Sequence, residues 1–379
     1  ASLDMIQYAL KVMLLEGNDE ILNMVDKKGN SILHVAVNSF NAEMKEDILN
    51  LIMDTITSIK GSTKLKSLLQ QTNDLGRTPL HTALEHGYTS SRSLVKTILK
   101  GYTDATKIRD KVGYLPLHLA CQFGVVDVGI IVDLVSAFPG SLLETTKVVL
   151  RGRDTEQIPL HLALRAHDIP SHKKKKNEIQ EDEDFTVMDQ VVLYLIKSNP
   201  KTCTIPDPNH DHQLPLHTAI VMTKSHLLIE KIAQCYPKGI EENTMKEERT
   251  ALHLLVHECE GFDPREAELI IRILLKYDPH GATVQDKDGL LPLHMAAMEP
   301  HWEKARKHAE RMKKAHASLD PKSRHVILAE LLKSHPKGAH VVDYKGNLPL
   351  HHACYAHDAD SVEMLVKVYD QGATVANGE

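Results

Sequence analysis

Histidine carries most of the chemical capacity of this chain. There are 24 in 379 residues, and neutral imidazole is both a general base near neutral pH and the commonest metal ligand. Eight of them end one recurring phrase: Ser31-Ile32-Leu33-His34, Thr78-Pro79-Leu80-His81, Leu115-Pro116-Leu117-His118, Ile158-Pro159-Leu160-His161, Leu214-Pro215-Leu216-His217, Thr250-Ala251-Leu252-His253, Leu291-Pro292-Leu293-His294 and Leu348-Pro349-Leu350-His351. Two further groupings have ligand-like spacing. His253 and His257 share a helix face if the segment is helical, but no Glu follows His253 as a HExxH zinc protease requires. Asp207, His210, Asp211 and His212 are the set a metal-dependent hydrolase would use, and a polar turn is the plainer reading of them. The chain contains no GxxxxGKS or GxxxxGKT loop, no GxGxxG or GxSxG phrase, and no cysteine in a nucleophile context. The expectation is therefore a protein that is not an enzyme, with no catalytic residues, no metal and no cofactor.

What positions the histidines is a repeat. Ala stands two residues beyond each motif histidine, with Leu255 the exception, and upstream of most copies lies a turn signal: Asp26 to Gly29, Asn73 to Gly76, Asp110 to Gly113, Asp286 to Gly289 and Asp343 to Gly346. Asp or Asn bonds its own backbone at a turn, and Gly three residues on supplies a positive φ. Pro at the second position of the phrase in six of the eight copies starts a helix at no cost in lost amide bonds. A second apolar-periodic stretch follows, such as Leu94, Val95, Ile98 and Leu99 or Ile130, Ile131, Leu134 and Val135, with one buried helical face. It closes on Pro and Gly, as in Phe138-Pro139-Gly140, Tyr236-Pro237-Lys238-Gly239 and His335-Pro336-Lys337-Gly338, where Pro stops the helix and Gly allows a left-handed exit. The unit is turn, helix, helix, loop.

This phrase resembles the ankyrin repeat, whose consensus Asp-x-x-Gly-x-Thr-Pro-Leu-His-x-Ala spans about 33 residues. The resemblance covers nearly the whole chain. It implies an all-α fold, an ankyrin-repeat α-solenoid of paired antiparallel helices and hairpin loops, with about eight repeats plus an N-terminal helical cap or partial repeat over residues 1–25. It also implies a single solenoid over residues 1–379 and a binding surface in place of an enclosed pocket. The motif histidines, by the same resemblance, tie neighbouring loops together. The chain departs from the consensus in two ways. The Thr position is Ser31, Thr78 or Thr250 in three copies and aliphatic in five, which removes a hydroxyl cap worth about 1 kcal/mol that apolar packing must replace. Successive motif histidines are 47, 37, 43, 56, 36, 41 and 57 residues apart, so insertions are systematic.

Three insertions are large. Around Thr57 to Leu69 a lengthened second helix and loop is predicted. Residues 166–184 combine Lys173 to Lys176 with Glu181 to Asp184 and no apolar periodicity, the pattern of a charged, solvated loop. Residues 300–324 place Trp302, Ala305, Ala309, Met312, Ala315 and Leu319 at helical spacing among Lys and Arg, and read as a basic amphipathic helix. The turns of repeats four to six are also irregular. Lys147-Val148-Val149-Leu150 resembles a short strand, and Glu156, His212 and Glu248 stand where other copies have Gly.

Composition narrows the function. With 42% hydrophobic, 25% charged and only 4% aromatic residues, the core must be aliphatic and Ala-rich, which suits packed helices. A net charge of −6 and a pI near 6.5 give no field that attracts nucleic acid. No run suffices to span a bilayer. Five cysteines without a CxxC pair fit a reducing, intracellular and most simply cytoplasmic setting. The chain starts at Ala1 without Met, as a processed form or an excerpt would, and an organelle interior follows if a targeting segment was removed.

The reading that results is a protein-interaction scaffold or assembly subunit of a larger complex, contacting a protein partner through the concave face that the resemblance implies and through the inserts. Aromatics and Arg dominate interface energetics. The positions flanking the turns and ending the first helices put Arg77, Tyr114, Phe123, Tyr344 and Tyr355 forward as partner-binding residues. The alternative is a recognition module of a larger enzyme or membrane protein whose active domain lies outside this chain.

Overall fold

The computed structural model describes residues 11–12, 14–16, 20–38, 45–85, 91–125, 127–146, 148–150, 153–166, 185–223, 225–259, 262–298 and 322–375. These fall into two compact units, Ala1–Thr202 and Cys203–Glu379, each carrying four repeats. In the first unit a short helix α1 (Glu20–Asn23) precedes the helix pairs α2 (Ile32–Val37) and α3 (Lys45–Gln70), α4 (Pro79–Leu84) and α5 (Arg92–Gly101), α6 (Pro116–Phe123) and α7 (Val128–Ala137), and α8 (Pro159–Ala166) and α9 (Val187–Ser198). In the second unit the pairs are α10 (Pro215–Met222) and α11 (His226–Cys235), α12 (Ala251–Glu258) and α13 (Pro264–Tyr277), α14 (Pro292–Ala297) and α15 (Lys322–Ser334), and α16 (Pro349–Tyr355) and α17 (Ala359–Val368). Within each unit the first helix of one repeat packs on the first helix of the next, and second helices pack on second helices. Each unit is built of helices apart from one short ribbon, its helix pairs stacked in the ankyrin-repeat arrangement that the sequence predicts.

Burial follows the pattern that the phrase predicts. The motif leucines Leu33, Leu80, Leu117, Leu160, Leu216, Leu252, Leu293 and Leu350 are all buried, as are the apolar faces of the second helices, for example Leu94, Val95, Ile98 and Leu99. Where the consensus Thr is aliphatic, Leu115, Ile158, Leu214, Leu291 and Leu348 are buried too, so apolar packing does take the place of the hydroxyl. The insertion near Thr57 is a long second helix, broken at Gly61 (φ 82°, ψ 167°). In the N-terminal segment residues 11–12 and 14–15 are helical, and Leu14 and Leu22 are buried. The inserts at 166–184 and 300–324 lie outside the described residues except at their edges, Ala166 and Lys322 to Arg324.

The fingers between repeats also match, irregularities included. Gly29, Gly76, Gly113, Gly289 and Gly346 have positive φ, and so do His212 and Glu248 at two of the three positions where Gly is replaced, whereas Glu156 does not. In repeat four the finger carries a two-stranded antiparallel ribbon, β1 (Val148–Leu150) and β2 (Arg153–Thr155). Adjacent fingers bond directly: the amide of Asp74 donates to Lys28 O, Lys111 to Leu75 O, and Tyr344 to Asp288 O. This close approach explains Gly76, where φ is +72° and a Cβ would lie 2.6 Å from the Lys111 nitrogen. Gly76→Ala is expected to cost about 1–3 kcal/mol, measured as a fall in urea midpoint; an unchanged midpoint would show that these fingers do not stack as described. No helix among the described residues is long and apolar enough to cross a membrane, and none of the five cysteines is in a disulfide.

Candidate protein-interaction face

The eight motif histidines have a structural job that their own geometry specifies. Each Nδ1 accepts the backbone N–H of the residue three positions earlier, which caps the first helix: from Ser31 (3.2 Å), Thr78 (3.2 Å), Leu115 (3.1 Å), Ile158 (3.3 Å), Leu214 (3.3 Å), Thr250 (3.2 Å), Leu291 (3.0 Å) and Leu348 (2.9 Å). An accepting Nδ1 leaves the proton on Nε2. Nε2 then donates to a carbonyl in the following loop or finger: His34 to Arg77 (2.8 Å), His81 to Tyr114 (3.2 Å), His118 to Glu144 (2.8 Å), His253 to Leu290 (2.9 Å), His294 to Val341 (3.1 Å) and His351 to Val375 (3.0 Å). His217 faces the Glu242 carbonyl, with no partner within hydrogen-bonding distance of Nε2. Burial of the neutral rings holds His81, His217, His253 and His294 down at about 4 and His118 at about 3. Rings with both nitrogens committed inside the frame have no lone pair to offer a metal or a substrate.

The other chemical candidates resolve the same way. Asp207 is the turn residue of its finger. Its Oδ1 accepts the Asn209 amide (3.0 Å), its Oδ2 pairs with His210 Nδ1 (3.1 Å), and its own amide donates to Gln213 O. Asp211 accepts the Lys246 amide on the next finger (2.8 Å). His257 pairs with Glu258 at the surface (2.9 Å), apart from the buried His253. Among the described residues His325, Asp358 and Asp360 do bring ligand-type atoms within 4.8 Å of one another, a juxtaposition hidden in the sequence by a gap of more than 30 residues. Asp358 is nonetheless fully engaged there: it caps α17 through Ser361 N and Oγ, pairs with His325 Nε2 (2.9 Å) and takes Arg324 Nη2 (3.2 Å). A guanidinium on the same carboxylate disfavours a cation.

Finger roots and first-helix ends lie against each other, which defines a candidate face. In repeat two Arg77 Nη1 pairs with Glu85 Oε1 at 2.6 Å. In repeat eight His352 Nε2 meets Asp343 Oδ2 at 2.9 Å. The five residues singled out in the sequence separate into two kinds. Arg77, Tyr114 and Phe123 belong to the first unit and are half-buried. Arg77 also reaches Asp110 Oδ2 of the next finger (3.4 Å), and Tyr114 sits edge-on to the His118 ring at 6.1 Å, with its hydroxyl pKa raised by burial. Tyr344 and Tyr355 belong to the second unit and are 72% and 57% exposed. Tyr344 lies at a finger tip, where a Cβ on Gly289 would strike its ring, and Tyr355 ends α16.

Two exposed apolar finger residues escaped the sequence shortlist of interface residues. Leu75 and Met245 are 51% and 67% exposed. The signal for Leu75 was its place beside a turn Gly, and for Met245 its place three residues before Glu248, which holds the turn position of its finger.

Comparison with known proteins gives short, partial likenesses. No family model matches the chain. The p105 subunit of nuclear factor NF-kappa-B from Rattus norvegicus is 29% identical over 112 residues, which is 30% of this chain and 10% of that protein. Alpha-latrotoxin-Lh1a from Latrodectus hasselti is 33% identical over 111 residues, 29% of this chain and 7% of the toxin. The chain thus spans a tenth or less of the length of these curated relatives. Among solved structures, the human ASB11 ankyrin repeat domain aligns over 76% of this chain and all of its own length, at 14% identity and a TM-score of 0.45.

Proposed function

We propose that this chain of ankyrin-type repeats is a non-enzymatic protein-interaction scaffold or assembly subunit, working in a reducing intracellular compartment. Its partner contacts are made by finger tips and first-helix ends, and Tyr344 and Tyr355 are the principal anchors of the second unit. The observation that carries this reading is the exposure of two tyrosines on the finger and first helix of one repeat, 72% and 57%. Tyrosine offers contact area at low entropic cost and is enriched among interface hot spots. Arg77, Tyr114 and Phe123 form the corresponding positions of the first unit, with Arg77 and Tyr114 serving the frame as well.

The test is affinity capture from the native source, with partners identified by mass spectrometry. Tyr344→Ala/Tyr355→Ala should weaken capture by about tenfold or more, since each hot-spot aromatic contributes on the order of 1–2 kcal/mol, while the circular dichroism spectrum stays unchanged. Undiminished capture by a folded double variant would remove the face from consideration.

A second reading has its own support. The matched relatives are far longer than the stretch they share with this chain, as expected if such repeats serve as the recognition module of a larger protein. The full transcript distinguishes the two readings: a catalytic or membrane domain encoded beyond these residues favours the module, and its absence favours the scaffold.

A further inference from the structure

Finger four, in the first unit, is the longest of the eight. In fingers one, two, three, seven and eight the bond that closes the root joins residues four positions apart, such as the Asp110 N–H to Tyr114 O (2.9 Å), whereas in finger four it joins the Thr146 N–H to Gln157 O (2.9 Å), eleven apart. The extra length carries the ribbon of β1 and β2. Arg109 Nη1 donates to Gly113 O and to Thr145 O, 2.7 Å each, so the end of finger three is fastened beside the root of finger four. The ribbon starts further along the chain, at Val148.

Its register leaves one residue of β1 facing outward. Val148 lies opposite Thr155, Val149 opposite Asp154 and Leu150 opposite Arg153, and the root pair of Thr146 and Gln157 continues the same register. In an antiparallel pair hydrogen-bonded and non-bonded residues alternate, so Val148 and Leu150 turn their backbone groups toward β2 and Val149 turns its N–H and C=O away from it. Neither group bonds another described finger. Outward backbone groups on an extended segment are the recognition chemistry of a further strand, and a two-stranded ribbon is marginal by itself.

The sequence also specifies which strand fits. Cations bracket β1, with Lys147 before it and Arg151 after it. Antiparallel pairing of two copies centred on Val149 would set each Lys147 against an Arg151, and like charges directly opposite each other are destabilising. A strand with acidic residues at those two places makes both pairs favourable.

We infer that the outer edge of β1 docks an extended segment of a partner protein, apolar at its centre and acidic at both ends, which joins the ribbon as a third strand through the Val149 N–H and C=O. The inference rests on the reading of this chain as a protein-interaction scaffold, and it places a contact in the first unit that involves neither Tyr344 nor Tyr355.

The probes are two synthetic peptides with blocked ends, Glu-Val-Thr-Val-Glu and its counterpart Lys-Val-Thr-Val-Lys, titrated against the full chain and followed by nuclear magnetic resonance. The Glu-ended peptide should move the Val149 amide proton downfield and bind about tenfold more tightly than the Lys-ended one, since two opposite-charge pairs replace two like-charge pairs. Lys147→Glu/Arg151→Glu should invert that preference. Val149→Pro removes the outward N–H while leaving the bonds between β1 and β2, and should weaken binding about fivefold or more. Equal binding of the two peptides, no shift at Val149, or no inversion in the charge-reversed chain would overturn the proposal. A Val149 shift that grows with protein concentration in the absence of peptide would overturn it in favour of a second copy. Partner capture that survives Lys147→Glu/Arg151→Glu and Val149→Pro but is lost in Tyr344→Ala/Tyr355→Ala would overturn this site and leave the scaffold reading standing, whereas failure of the scaffold reading shows as no partner captured by the parent chain.

Discussion

Acidification from about pH 7.5 to about pH 5 is expected to lower the stability of this protein by several kcal/mol, because buried neutral histidines resist a proton that the unfolded chain accepts. The cause lies in the rungs. His81, His217, His253 and His294 are held at about 4 and His118 at about 3, against 6.5 for the free side chain. Protonation would force a charge into the repeat interface and turn Nδ1 from an acceptor of the cap amide into a donor pointing at it. Stability from these rings is complete above the unfolded value of about 6.5, declines as the pH falls below it, and is exhausted near the folded values. At pH 5 each ring costs about 2 kcal/mol by this linkage, so the rings together cost several kcal/mol. That is comparable to the whole stability of a domain. Urea midpoints measured at intervals across this range should fall steeply below pH 6.5; a flat profile down to pH 5 would show that the rings are not neutral and buried.

The second large effect is expected from Leu117→Ala. Leu117 is 2% exposed on α6, which packs against α4 and α8. Removing three carbons there should cost about 2–5 kcal/mol, the transfer term plus an unfilled cavity. Lys96→Ala, on the exposed side of α5, should stay within about 0.5 kcal/mol of the parent. Equal melting profiles for Leu117→Ala and the parent would contradict the repeat register.

The frame was legible because repetition supplies eight independent copies of one physical requirement. A turn residue, a helix-starting Pro, a core Leu and a capping His recur wherever a finger meets a helix, so even the left-handed turns at His212 and Glu248 and the ribbon after Thr146 could be located by register. Pairings that cross between repeats could not be. Arg77 with Asp110 and His325 with Asp358 join residues about 33 apart, and no local pattern selects those partners over others. The exposure of a face depends equally on neighbours: Tyr114 and Tyr344 are both finger aromatics, yet one leans on its own motif histidine while the other stands out from the finger tip.

The central claim is that partner contact falls on fingers and first-helix ends, while second helices carry the stack. Hydrogen exchange of the chain, free and bound to the captured partner, tests this most directly. Added protection is predicted at the finger from Asp343 to Asn347 and along Pro349–Tyr355, with no change over Lys322–Ser334 and Ala359–Val368. Protection confined to those second helices, with the finger and α16 unaffected, would contradict it.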